Sequence, residues 1–386
     1  MNRNSTMKLF LTALLLAPWA VLPAAEPTAG DKLPIPDGTQ YVRVERSDSD
    51  NYKFLHDPAI EVHKGELFAA WYNCPRAEIV GESRIRGRRS KDGGKTWGPL
   101  EVIASDTRGD GTYYVPAVML SHGGTLYAFV GTMKGGHDLI KSCAVYALDE
   151  TANRWQPRGE IADLFLPNCR PVKMADGNWI MAGRAATRFG VKPFLPAVAI
   201  SNGDDLTGRW NVVPIQKEKP QGGDCPETTV WVEGRNVIAL TRNSAGKPFV
   251  YASHDYGRTW NIPPAFERSK GKRIPAATSK LYAGHLSTGE RYVVYSKGTG
   301  EREPRGSLLI QVSRPGDIAE CCTPEKVWRV QDRNDPALTA PPGPKAFSYP
   351  CVVEHEGSLF VIYTVGHHSP RQCEIAIIPI ASLQLR

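Results

Sequence analysis

The sequence predicts an all-β fold, a six-bladed β-propeller, on three observations. An apolar, alternating two-strand unit with a central glycine recurs six times. A Ser-x-Asp-x-Gly-x-Thr-Trp turn signature occurs twice between these units. No apolar stripe of helical period with capping residues accompanies them.

The units run from Pro58 to Asn73 (PAIEVHKGELFAAWYN), Pro116 to Thr132, Pro171 to Arg184, Thr229 to Asn243, Lys280 to Ser296 and Pro350 to Thr364. Their glycines, Gly65, Gly124, Gly177, Gly234, Gly289 and Gly357, lie 53 to 68 residues apart. Alternation buries one face of a strand and glycine supplies the positive φ of a tight turn, so each unit is a β-hairpin. A sheet of about four strands cannot cover its own apolar faces, and evenly spaced copies pack radially as blades. A pair of β-sandwiches is the rival assembly, and the even spacing disfavours it.

The turn signatures are Ser90 to Trp97 (SKDGGKTW) and Ser253 to Trp260 (SHDYGRTW), with degenerate relatives at Asp149 to Trp155 and Ser201 to Trp210. In such a turn the Asp carboxylate accepts from local backbone N–H groups, the glycine takes the strained φ, and the tryptophan packs on the blade. They are structural staples, the Asp boxes, and carry no chemistry.

At the N-terminus, Arg3 and Lys8 precede an apolar run from Leu9 to Leu22, followed by Ala24 and Ala25. This pattern predicts a signal peptide over 1–25 and one propeller domain over 26–386, exported to the periplasm or beyond. The run falls short of the ~20 residues of a membrane helix, so no stable membrane insertion is expected. The eight cysteines are scattered without metal-ligand spacing, and both disulfides and buried thiols remain open. The net charge of +7 is spread along the chain, which predicts no nucleic-acid partner and fits arginines facing an anionic ligand. No phosphate-cradling or metal motif is present, and no cofactor is expected.

Inner strands of a propeller start at a common central cleft, so the residues that open each unit are the candidates for chemistry. With the loops at that end included, they are His56, Asp57, Glu78, Glu82, the Arg84/Arg86 run, Tyr113, Tyr114, Asn168, Arg170, Glu227, Arg273 and Tyr349. His56 beside Asp57 suits proton transfer near neutral pH, and arginines suit a uronate or sulfate. Each also has a plain structural reading: a satisfied strand-start ring for His56, a turn cap for Asp57, a salt-bridged carboxylate for Glu227, a packed ring for Tyr349.

With two Asp boxes inside a sixfold hairpin repeat, the chain resembles the sialidase superfamily over nearly all of its length after residue 25. The resemblance implies a sialidase-like, exo-acting glycoside hydrolase with a tyrosine nucleophile, an assisting glutamate, an aspartic acid/base in the first blade, and arginines that clamp an anionic sugar. Glu227, which opens the fourth unit, and Arg242, which closes it, match the glutamate and a clamp arginine. Tyr349, opening the last unit, matches the nucleophile. His56-Asp57-Pro58 stands where the family starts with Arg-Ile-Pro, so the first clamp arginine is missing. The loop aspartate is missing too, with Glu78 or Glu82 as imperfect substitutes and Asp57 as a relocated one.

The resulting assignment is Tyr349, Glu227, Asp57 and His56 as catalytic, and Arg242, Arg273, Arg170, Tyr114 and Glu82 as substrate-binding. The partner is a carbohydrate, anionic in character and other than plain sialic acid. A lyase acting on uronate glycans and a non-catalytic glycan-binding propeller are the alternatives.

Overall fold

The computed structural model describes residues 32–47, 50–136, 139–192, 194–216, 226–243, 248–263, 274–298, 305–315, 325–331 and 346–385. The predicted signal peptide, Arg273, Cys225, Cys321 and Cys322 lie outside them.

The six repeats form six antiparallel sheets in chain order. Blade one is Phe54–His63, Glu66–Cys74, Arg84–Ser90 and Glu101–Ser105. Blade two is Thr112–His122, Thr125–Lys134, Ile140–Asp149 and Arg154–Asp163. Blade four has three described strands, Thr228–Glu233, Asn236–Thr241 and Phe249–Ser253. Blade five is Tyr282–His285, Arg291–Lys297, Ser307–Ser313 and Lys326–Arg329. Phe347–His355, Ser358–Val365 and Gln372–Pro379 build blade six, and the N-terminal strand Gln40–Arg46 completes it by pairing with Gln372–Pro379. The two ends of the described chain thereby close the ring, and the inner strand of blade six packs on that of blade one.

Blade three departs from the predicted plain hairpin. Its inner strand is split into Phe165–Pro167 and Val172–Lys173, both paired with Trp179–Ala185, before Leu195–Ile200 and Asn211–Pro214. Two features interrupt it: Pro171 has no N–H for the ladder, and the N–H groups of Asn168 and Cys169 both converge on the Ala182 carbonyl.

All six turn glycines adopt positive φ, between 62° and 102°. The two Asp boxes are bonded alike: Asp92 accepts from Ser90 Oγ, Thr96 N and Thr96 Oγ1, and Asp255 accepts from Ser253 Oγ, Thr259 N and Thr259 Oγ1. The first box joins the third strand of blade one to its fourth, and the second follows the third strand of blade four; both lie at the end of the blade opposite the start of its inner strand. The staples and the candidate chemistry therefore occupy opposite faces of the ring.

Within blade three the fit between neighbouring strands is tight at glycine. A Cβ on Gly183 would lie 2.1 Å from the Leu166 carbonyl oxygen and 2.7 Å from the Phe165 ring. Both obstacles belong to packed sheet, so Gly183→Ala is expected to cost about 3 kcal/mol, the upper end of ordinary overpacking. Urea unfolding measures it; an unchanged midpoint would contradict this packing. The five described cysteines, Cys74, Cys143, Cys169, Cys351 and Cys373, are buried free thiols. Among the described residues no helix is long and apolar enough to cross a membrane.

Candidate functional site

Two Pro-containing bulges aim the central side chains. Pairing between the first two strands of blade one skips from His56 to Ala59, and in blade six from Ser348 to Cys351. The skipped residues are Asp57-Pro58 and Tyr349-Pro350. Proline cannot donate to the ladder, and the residue before it turns to positive φ, +50° at Asp57 and +57° at Tyr349. That region is costly for residues with a Cβ, and strain of this kind concentrates at functional sites. Asp57 and Tyr349, together with Glu227, Arg184, Asn168, Glu78 and Tyr72, line one small cavity.

Arg242 organises the cluster. Its Nη1 donates to Glu227 Oε2 at 2.7 Å and to the Tyr349 hydroxyl at 3.0 Å, while Nε and Nη2 reach Thr278 Oγ1. Arg184 approaches the other carboxylate oxygen of Glu227 at 3.8 Å. The Arg305 guanidinium lies 5.3 Å from the centre of the Tyr349 ring and donates to the Thr278 carbonyl. The His56 ring packs tilted against Tyr349, with ring centres 4.0 Å apart and planes inclined by 54°, and its Nδ1 bonds Thr364 Oγ1 at 3.2 Å. Across the cavity, the buried Lys280 ammonium donates to Asp57 Oδ1, and the Tyr72 hydroxyl donates to Glu78.

The electrostatics divide the acids by role. Burial alone would raise Glu227, but Arg242 and Arg184 outweigh it and hold the carboxyl below its ordinary range, so it is ionised. Burial pushes Asp57 up to about 6, with the Lys280 charge restraining the rise. Burial, reinforced by Arg371, Arg305, Lys280 and Arg242, drives His56 well below the usual histidine value and keeps it neutral. Burial and the Glu227 charge raise the Tyr349 phenol, so it carries its proton until a base takes it. An ionised carboxylate, a protonated phenol and a carboxyl that exchanges its proton near pH 6 thus surround one cavity. That set can perform nucleophilic and acid/base chemistry.

The structure brings Tyr349, Glu227, Arg242, His56 and Asp57 together. Three predicted binding residues lie elsewhere. Glu82 is exposed and held by Arg84 at 2.8 Å and the Tyr52 hydroxyl at 3.0 Å, too far out on its loop to join the cavity. Arg170 is committed to the buried Glu61 carboxylate, 3.1 Å away, as a structural ion pair. Tyr114 lines a separate groove between blades one and two, beside Tyr146 and Trp155. Arg273 lies outside the described residues.

Sequence reasoning missed Arg184, Lys280, Arg305 and Arg371. Arg184 closes the third hairpin as Arg242 closes the fourth, so register carried a signal. Arg305 and Arg371 precede third strands and had none. Among the described residues no three His, Cys, Asp or Glu side chains gather as a metal site.

Comparison with known proteins agrees with this architecture. The pattern of the BNR repeat-like domain family matches residues 65–362. A Trypanosoma rangeli sialidase in complex with the inhibitor DANA is similar in structure, with a TM-score of 0.66 at 13% identity, over 91% of this chain and 61% of that one. The Hadza microbial sialidase Hz136 gives 0.67 at 15% identity, over 89% and 69%. The NanB sialidase from Streptococcus pneumoniae gives 0.61 at 11% identity, over 92% and 72%. The chain thus spans about three fifths of the trypanosomal enzyme. Among curated proteins, none matches the chain.

Proposed function

The chain belongs to the BNR repeat-like family, and from that premise we propose that it is an exported, sialidase-like exo-glycoside hydrolase acting on an acidic glycan. The observation that carries this reading is the Arg242 guanidinium, bonded at once to Glu227 and to the Tyr349 hydroxyl in a cavity shared with Asp57. The likeness of the fold to sialidases supports it.

The Tyr349 oxygen attacks the anomeric carbon while its proton passes to Glu227, and protonated Asp57 gives its proton to the departing glycosidic oxygen. Water then attacks the same carbon, the ionised Asp57 takes the water's proton, and the tyrosyl oxygen leaves and recovers its own. A neutral phenol suits an anomeric centre that carries an acid group, because an anionic nucleophile would be repelled. Arg242, Arg305 and Arg371 supply the field for that acid group; His56, standing where a clamp arginine is expected, argues for a sugar other than plain sialic acid. Export rests on the N-terminal pattern of Arg3, Lys8 and the apolar run.

Incubation with a panel of acidic and neutral 4-nitrophenyl glycosides and oligosaccharides is expected to release a monosaccharide. Glu227→Gln should lower the rate by about 10²–10⁴, the worth of a positioned base. Glycan binding without turnover would show a non-catalytic propeller instead, and an unsaturated uronate product would show a lyase.

A further inference from the structure

Lys280 stands just before the inner strand of blade five, at the same end of its blade as Asp57, Glu227 and Tyr349 in theirs. It is only 2% exposed, and its ammonium lies 5.7 Å from the centre of the Tyr349 ring. Its hydrogen bond goes to Asp57 Oδ1, while no described residue bonds Asp57 Oδ2. A buried ion pair is a poor device for stability alone, since an apolar pair of similar volume serves as well or better. Here the carboxylate lines the cavity, placed there by a strained bulge, and the ammonium holds it from behind.

We infer that Lys280 is a positioning residue: it grips one oxygen of Asp57 and leaves the other to carry the proton that is given to the leaving group and later taken from water. The inference rests on the hydrolase reading of Asp57. After the first proton transfer Asp57 is a carboxylate in a buried site, and the adjacent ammonium stabilises that charge until water returns the proton. The proton count closes over the two steps, and Lys280 keeps its own protons throughout. The other titratable groups around the cavity with Asp57 are Glu227 of blade four, Arg184 of blade three, Tyr72 and Glu78 of blade one, and Tyr349 of blade six. Glu227 and Arg184 oppose each other in sign, so Lys280 is the cation that meets Asp57 directly.

The test compares Lys280→Met and Lys280→Arg by two readouts: the alkaline limb of kcat/KM, and the titration of the Asp57 carboxyl band by infrared difference against Asp57→Asn. Lys280→Met is expected to move both midpoints up by roughly one pH unit or more, a tenfold change in proton affinity. Lys280→Arg should restore them. Midpoints that stay in place while only the melting temperature falls would reduce Lys280 to a structural role and overturn the inference. If the methionine variant does not fold, Lys280→Gln is read the same way. If the wild type hydrolyses no glycoside, the hydrolase reading fails by itself, and the infrared midpoint then decides whether Lys280 governs Asp57.

Discussion

Tyr349→Phe is expected to abolish turnover, by at least about 10³-fold in kcat, while leaving the protein folded. The nucleophile and its base work as a unit, and removing such a nucleophile costs nearly the whole catalytic contribution of the unit. The structural cost is far smaller. A phenylalanine keeps the ring against His56 and under the Arg305 and Lys280 charges. It loses one hydrogen bond, the donation from Arg242 Nη1, for about 1.5–3 kcal/mol at most. Circular dichroism and a melting curve verify folding, and single-turnover kinetics with an activated aryl glycoside read the chemistry. Quenched wild type should also yield a glycosylated peptide containing Tyr349. Wild-type turnover in Tyr349→Phe would remove the tyrosine from the mechanism and return it to a packed aromatic.

The repeats made the fold legible because a blade announces itself locally. Alternation and a turn glycine lie within the 14 to 17 residues of one hairpin unit, two blades add a serine-aspartate staple after it, and all six turn glycines have the φ that their turns demand. Blade three keeps its hairpin about Gly177, but the split of its inner strand has no sequence signal, because the competing acceptor at Ala182 is set by spatial pairing, which spacing does not record. The site was legible in part for the same reason. Residues opening inner strands converge on the axis, and this rule nominates Asp57, Glu227 and Tyr349. Applied without exception it also nominates Lys280, which marks the first position of the fifth unit and was passed over as its boundary. The rule fails for Arg170, whose partner Glu61 comes from a different blade. It fails again for Tyr114, which the bulge before Ala117 turns toward the neighbouring blade and away from the cavity. Arg305 and Arg371 sit on connections between second and third strands, where no local pattern fixes the direction of a side chain.

Proton donation separates His56 from Asp57, which the sequence leaves equivalent. His56 is buried among four cations and neutral throughout the working range, so it has no proton to give as imidazolium. Asp57 binds its proton up to about pH 6. The sign follows directly: the acid is loaded below that pH and lost as pH rises through it, so kcat/KM should fall on the alkaline side near 6. On the acid side activity fails only when Glu227 is protonated, below the ordinary glutamate range because Arg242 and Arg184 outweigh its burial. The expected profile is a bell in the mildly acidic region. Asp57→Asn should erase the alkaline limb and cut hydrolysis of alkyl glycosides by about 10²–10⁴, while 4-nitrophenyl glycosides, whose leaving group needs little protonation, lose much less. His56→Gln should leave the limb in place. An alkaline limb that survives in Asp57→Asn and vanishes in His56→Gln would exchange their roles and make the HDP start of blade one a histidine site.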